Sequence, residues 1–163
     1  MTSDRYCYEP IGEIRTPFGT PEGMPIQPAG EESARGTVVV DPAYAAGLAD
    51  LDGFSHCILL YHFHAGDGDY SLRPTPFLDE AERGLFATRA PSRPNPIGLS
   101  VVAVESVDGR ELAVSGIDVV DGTPLVDIKP FVPQFDVPAD TAAGWVDETD
   151  AGVASTTADD RFR

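Results

Sequence analysis

The chain reads as mainly all-β: a single closed or nearly closed β-barrel with one or two short helices. Three observations lead there. Short apolar runs rich in Val, Ile, Leu and aromatic residues recur six or more times along 163 residues. Asp-Gly pairs at 108–109 and 121–122 punctuate the last of them, and such pairs favour tight hairpin turns because they tolerate positive φ. Only residues 42–51 and 78–84 look helical. A length of 163 residues and 42% hydrophobic content suit one globular domain large enough to bury a core.

Taken in order, residues 11–16 form a first strand that ends at Pro17. Residues 17–30 carry four prolines and read as an irregular loop. Residues 37–40 are a strand, and 42–51 a short helix with Asp41 as its N-cap. The run 54–64 (FSHCILLYHFH) is a long apolar strand, and 84–89 a further one. Residues 99–107 and 111–119 flank Asp108-Gly109 as a hairpin, and 124–128 follow the turn at Asp121-Gly122. These elements place a barrel domain over residues 1–135. Residues 136–163 hold seven acids and no strand pattern, which suggests an acidic, partly ordered C-terminal tail with Trp145 as a packing anchor; a solvated extension is the plainer reading. No internal repeat is visible.

Charge is the most unusual property. Eleven Lys and Arg against 27 Asp and Glu give a net −16. The basic residues are ten arginines and one lysine, Lys129. Such acidity repels itself and destabilises the compact state. Near 1 M salt the Debye length falls to about 3 Å and that repulsion largely disappears. The balance resembles that of halophilic archaeal proteins, so the acidity describes the solvent and does not exclude a nucleic-acid partner. No apolar run approaches a membrane span and the first residues lack a signal core, which together predict a cytoplasmic protein. Cys7 and Cys57 are too few for a disulfide framework or a four-thiolate zinc site and are expected to be buried free thiols. No G-x-G-x-x-G, P-loop or G-x-S-x-G pattern occurs, so none of those nucleotide or nucleophile sites is supported.

Three features point to chemistry. From Arg83 to Val104 there is no acid, although acids crowd the rest of the chain. This stretch carries Arg83, Arg89 and Arg93 in a proline-stiffened loop (TRAPSRPNPIG) suited to anions or planar groups; the plainer reading is a stiff connection with surface arginines. Lys129 sits in Asp127-Ile128-Lys129-Pro130, where a compact ammonium beside a carboxylate suits a tight site. A chance survivor is the plainer account. All three histidines lie in the 54–64 run. His62 and His64 share one strand face and have the spacing of two metal ligands, resembling cupins, with Asp67 or Asp69 as further ligands. His56 lies about 26 Å from His64 along a strand and cannot join them. One packed and one pocket-facing histidine is the alternative.

Together, Ile11-Gly12-Glu13-Ile14-Arg15-Thr16-Pro17, Pro25-Ile26-Gln27-Pro28, Phe54-Ser55-His56, Gly84-Leu85-Phe86-Ala87-Thr88-Arg89, Arg93-Pro94-Asn95-Pro96-Ile97-Gly98 and Asp121-Gly122-Thr123-Pro124 through Asp127-Ile128-Lys129-Pro130 resemble the TsaA-like family, in the same order, over about residues 8–135. The resemblance implies a β-barrel that binds S-adenosyl-L-methionine without a Rossmann fold, usually as a homodimer. The implied reaction methylates the N6 nitrogen of threonylcarbamoyl-adenosine next to the tRNA anticodon. Carried over by position, the cofactor contacts are Pro25, Ile26, Gln27, His64, Ala65, Arg89, Leu99, Asp127, Ile128, Lys129 and Pro130. Ile26 replaces a common arginine, Ala65 a longer polar residue, and the acidic tail stands where bacterial members carry an extra domain. These departures bear on how tRNA is gripped.

Within that reading, Asn95, Asp127 and Lys129 are the expected catalytic set. Asn95, between prolines, orients the target nitrogen, and Asp127 or His64 takes its proton. Arg93 and Lys129 hold the threonyl carboxylate, and Arg89 faces the methionine carboxylate. Arg83, Arg93 and Asn95 form the expected substrate contacts, and no metal is expected. Two other classes remain open: an S-adenosyl-L-methionine-binding module or sensor without catalysis, and a cupin-like metalloenzyme using His62 and His64. The charge balance makes its own prediction. The unfolding midpoint, followed by circular dichroism, should rise steeply between millimolar and molar KCl, because screening removes the self-repulsion of 27 acids.

Overall fold

Six antiparallel strands close on themselves in a computed structural model that describes residues 4–22 and 34–149. The strands are β1 (Gly12–Arg15), β2 (Arg35–Val40), β3 (His56–His62), β4 (Ile97–Asp108), β5 (Glu111–Ser115) and β6 (Thr123–Pro130). Around the barrel they run β1-β2-β5-β4-β3-β6, and β6 returns to pair with β1. The expected barrel is therefore present and fully closed.

Alternation along each strand fills the interior. Ile14, Val38, Val40, Cys57, Leu59, Tyr61, Val102, Leu112, Val114 and Leu125 point inward and are buried. The register places the two barrel ends. Ile11, Val40, Phe54 and Pro130 gather at one end; the exits of β1 and β3 and the entries of β4 and β6 gather at the other. Leu48 and Leu51 close the first end, and Ile117 and Val119 the second.

Several elements differ from expectation, each for a local reason. Residues 84–89 are not a strand: Leu85–Ala87 is a single 3-10 turn that buries Leu85. A closed barrel has no free edge for another strand to join. Residues 42–51 hold two 3-10 turns, Pro42–Leu48 and Leu51–Gly53, and Asp41 makes no side-chain cap bond. Residues 78–84 form no helix. There the Asp79 carboxylate takes the amides of Glu80 and Ala81, an alternative to helical bonding. The 54–64 run pairs only from His56 to His62, and the Phe63 amide then donates to the Pro96 carbonyl at 2.8 Å. The 111–119 run stops pairing at Ser115 because Gly116, at φ 83°, turns the chain. Cys57 is buried as expected and its thiol is pushed up to about 11 by burial, but Cys7 is exposed.

Beyond β6, a one-turn helix α1 (Pro133–Asp136) caps itself through Asp136, whose carboxylate accepts from the Val132 amide. Trp145 then donates its indole N–H to the Ala87 carbonyl at 2.8 Å, and the Arg83 guanidinium lies 5.6 Å above its ring. The early part of the acidic tail thus docks on the 83–87 segment. Residues 150–163 lie outside the described residues, as do Pro25, Ile26 and Gln27.

Gly98, at the start of β4, lies against the Tyr61 ring, and a Cβ there would also sit 2.8 Å from Phe63 Cζ. Gly98→Ala should lower stability by about 1–3 kcal/mol, the usual cost of overpacking, measurable by denaturant unfolding.

Candidate functional site

The second barrel end holds a cavity of about 270 Å³. Its walls come from four segments that meet at this end: Pro21 beyond β1, 62–68 at the exit of β3, 91–96 before β4, and 118–123 at the entry of β6. Proline rigidity shapes one wall, since Pro91, Pro94 and Pro96 all line it. Arg93 lines it too, and pins its own loop by donating from Nη1 to the carbonyls of Thr88 and Ala90 at 3.2 and 3.0 Å. The 118–123 wall is tied to the exit of β1: Thr16 donates its hydroxyl to the Val119 carbonyl at 2.8 Å, and the Asp121 carboxylate takes the Thr16 amide at 2.9 Å.

Asp118 is the only carboxylate among the described residues of this lining. It is buried, 9% exposed, between Ile117 and Val119. Ser100 Oγ donates to its Oδ1 at 2.5 Å, and Ser100 Oγ lies 2.9 Å from the Tyr61 hydroxyl. Tyr61, Ser100 and Asp118 thus form a hydrogen-bonded line from the barrel interior to the cavity. Burial pushes the Asp118 carboxyl up to about 6, against the opposing pull of the Ser100 hydrogen bond and the Arg89 charge. The Tyr61 phenol is raised as well, mainly by burial and then by the Asp118 charge. The sequence reading missed this carboxylate by treating 111–119 as a continuous strand. Its signal was an acid inside the apolar run Ile117-Asp118-Val119-Val120.

The expected site residues divide into groups. His64, Ala65 and Arg93 line the 270 Å³ cavity, and Arg89 acts electrostatically on Asp118 and Tyr61 at the same end. Leu99, Asp127 and Lys129 share the outer wall instead. Register sets Leu99 and Asp127 on either side of Leu60, with Lys129 beside Ile58 in the next row and His62 beside Ile97 at the rim. Lys129 Nζ pairs with Asp127 Oδ2 at 2.8 Å, and Asp127 Oδ1 takes the Ile128 amide. Asp127, Ile128 and Pro130 also line a cavity of about 560 Å³ at the first barrel end, with Tyr44 and Phe54. Two residues stand apart. Asn95 is exposed and does not line the cavity that its flanking prolines form. Arg83 pairs with Asp79 and covers Trp145, which holds the Asp79 carboxyl below the usual carboxylate range. Among the described residues, no three metal-ligating side chains converge, and His62 and His64 find no third ligand in Asp67 or Asp69. No described helix is long and apolar enough to cross a membrane.

Residues 13–137 match the family described as the tRNA-methyltransferase O N-terminal domain. The chain belongs to the tRNA-methyltransferase O family. A probable S-adenosyl-L-methionine-binding protein of Pyrococcus abyssi is 45% identical over 156 residues, 96% of this chain and 84% of the relative. The tRNA (adenine(37)-N6)-methyltransferase of Escherichia coli is 37% identical over 90% of this chain and 66% of its own length. A crystal structure of TrmO from Pseudomonas aeruginosa superposes with a TM-score of 0.73 at 39% identity, over 86% of this chain and 62% of that one. The chain therefore spans most of the archaeal relative but under two thirds of the bacterial structure. The fold of this chain is thus similar to that of the Pseudomonas aeruginosa protein over the superposed part.

The Asp118 carboxyl gives a pH test with a fixed sign. Its folded value lies above its ordinary 3.8, so the folded state binds the extra proton between those values. The stability this contributes is complete below pH about 4 and is lost as pH rises through about 6. Relative to Asp118→Asn, the wild type should lose about 3 kcal/mol of unfolding free energy across that window. Paired denaturant titrations at several pH values read the difference, and parallel curves for the two proteins would contradict it.

Proposed function

We propose that this chain is an S-adenosyl-L-methionine-dependent tRNA methyltransferase acting on the N6 nitrogen of threonylcarbamoyl-adenosine at position 37, next to the anticodon. The observation that carries the reading is the barrel-end cavity beneath the 88–96 loop, in a chain whose family relatives include an enzyme named for N6 methylation of adenine 37.

The side chains suit the cofactor. A group bearing a carboxylate, an ammonium and a sulfonium on a nucleoside needs a cation, an anion and an apolar platform. Arg89 and Lys129, Asp127 and Leu99 supply them, with His64 and Ala65 at the rim. Pro25, Ile26 and Gln27 are proposed to complete the set from outside the described residues. When bound, S-adenosyl-L-methionine supplies an electrophilic methyl group on sulfur. The chain's part is to hold the target nitrogen about 3–3.5 Å from that carbon, in line with the leaving sulfur. The 88–96 loop does so with little ordering cost, since its prolines and the Arg93 bonds are already in place. Arg93 is proposed to hold the threonyl carboxylate by a charge-assisted pair.

The protein is proposed to be cytoplasmic and halophilic, in keeping with its net −16 and single lysine. A homodimer is proposed as well, because Ile97 and Leu99 lie 49% and 42% exposed on the outer wall that carries Asp127 and Lys129. With phosphate attraction screened in molar salt, base stacking and the cavity itself should dominate tRNA binding.

The test uses labelled S-adenosyl-L-methionine in molar KCl and one tRNA in two forms, with and without the threonylcarbamoyl group. Label only on the modified adenosine, read by mass spectrometry of digested nucleosides, is expected. Cofactor binding by calorimetry with no label on either tRNA would favour the sensor reading instead.

A further inference from the structure

The mechanism above leaves the proton on N6 without a destination. Methyl transfer makes the N–C bond and breaks the C–S bond, whose electron pair stays on sulfur. The nitrogen must then lose its proton to remain neutral. That nitrogen is conjugated to a purine on one side and a carbamoyl group on the other, so its lone pair is weakly nucleophilic until the proton leaves. An acceptor beside it is required.

The two acceptors expected from the sequence fit this task poorly. Asp127 stands on the outer wall, tied to Lys129 at 2.8 Å and to the Ile128 amide at 2.9 Å, and its side chain is 42% exposed. His64 is exposed at the cavity rim. Asp118 is different in kind. It lies in the wall of the cavity of about 270 Å³, whose lining includes Phe63, His62, His64, Pro21, Pro91, Pro94 and Pro96. It is held from behind, because Ser100 approaches from β4 and Tyr61 stands behind Ser100 on β3. A carboxylate offers about four lone-pair sites, and Ser100 takes one. Tyr61 and Ser100 are buried toward the second end of a barrel filled mostly by apolar side chains, where burying a polar group is costly unless it is hydrogen-bonded, as these two are to each other and to Asp118.

We propose that Asp118 is the proton acceptor of the methyl transfer, taking the N6 proton of the modified adenosine inside the 270 Å³ cavity while Ser100, backed by Tyr61, fixes its carboxylate. This rests on the methyltransferase reading. The step balances: N6 forms its bond to the methyl carbon, sulfur keeps the electron pair of the broken bond, and the proton passes from N6 to an Asp118 oxygen and then to solvent. The burial that keeps Asp118 from ionising at acid pH leaves it able both to take and to release a proton near neutrality. The charged and titratable groups facing it are Arg89 from the loop after the 3-10 turn and Tyr61 from β3, with His62, His64 and Arg93 around the cavity.

The experiment measures single-turnover methyl transfer against pH, beside carbon-13 NMR titration of aspartate carboxyls in the protein alone. The wild-type rate should rise with pH to a plateau. The carboxyl signal missing from Asp118→Asn should titrate near the same midpoint, about 6. Asp118→Asn should bind S-adenosyl-L-methionine within about threefold of wild type while its plateau rate falls about a hundredfold or more. Ser100→Ala, which removes the bond that favours the ionised form, should move both midpoints to higher pH, and it carries the test if Asp118→Asn fails to fold. His62→Asn with His64→Gln should leave the midpoint in place whatever it does to the rate. The proposal falls if Asp118→Asn transfers within about threefold of wild type, if Ser100→Ala moves neither midpoint, or if the midpoint follows the histidines. Asp118→Asn that loses cofactor binding would make Asp118 a binding residue and overturn it too. A wild type that binds cofactor but transfers to no tRNA fails the methyltransferase reading itself, and the proposal with it.

Discussion

Pairing of β1 with β6 closes the sheet, and the rest of the molecule follows from that closure. Each of the six strands is paired on both sides over part of its length, so no strand is left as a free edge and the two ends stay open. Connections must cross those ends, and the cavities form where they cross. The interior is too narrow for anything but side chains. A polar group pointing inward therefore meets either another polar group or a penalty of a few kcal/mol. The line from Tyr61 through Ser100 to Asp118 resolves that problem at one end, with the carboxylate at the boundary between core and cavity.

Charge is distributed with the same economy. An acid-rich surface at net −16 leaves the stretch from Arg83 to Val104 free of acids. The three arginines there do different work. Arg83 is spent on Asp79 and Trp145, and so fastens the chain beyond β6 to the barrel. Arg93 braces its own loop. Arg89 reaches Asp118 and Tyr61 electrostatically. A cluster that looks uniform in sequence is thus one structural residue, one loop brace and one charge directed at the buried carboxylate. In concentrated salt the exposed charges fade within a few ångströms, whereas the buried pairings persist.

The outer wall gives Leu99, Asp127 and Lys129 a shared location that no linear motif reveals. Leu99 and Asp127 are far apart in the chain, yet they flank Leu60 in one row, with Lys129 in the next and His62 at the rim. The bulge between Leu60 and Tyr61 shifts the β6 register by one residue. That shift lets Asp127 face outward while Leu125 still fills the core, because a bulge re-aims side chains without breaking the ladder on either side.

The all-β class, most of the strand periodicity, the hairpin at Asp108-Gly109 and the family motifs are legible in the residues alone, since they depend on local alternation and turn chemistry. The sequence also marked Arg93, His64 and Ala65, all of which line the cavity. It could not show that 84–89 lacks a partner, because a strand needs a free edge and only closure removes the last one. Nor could it separate Arg83 from Arg93, since the indole that claims Arg83 lies 62 residues further on, at Trp145. Asp118 was the largest omission. Period-two alternation makes it one acid in an apolar run. Only the turn at Gly116 and the meeting of β3, β4 and the 116–122 crossing make it a buried carboxylate facing a cavity. Local chemistry fixed the elements; long-range pairing decided which side chains meet, and so which charges lose their water.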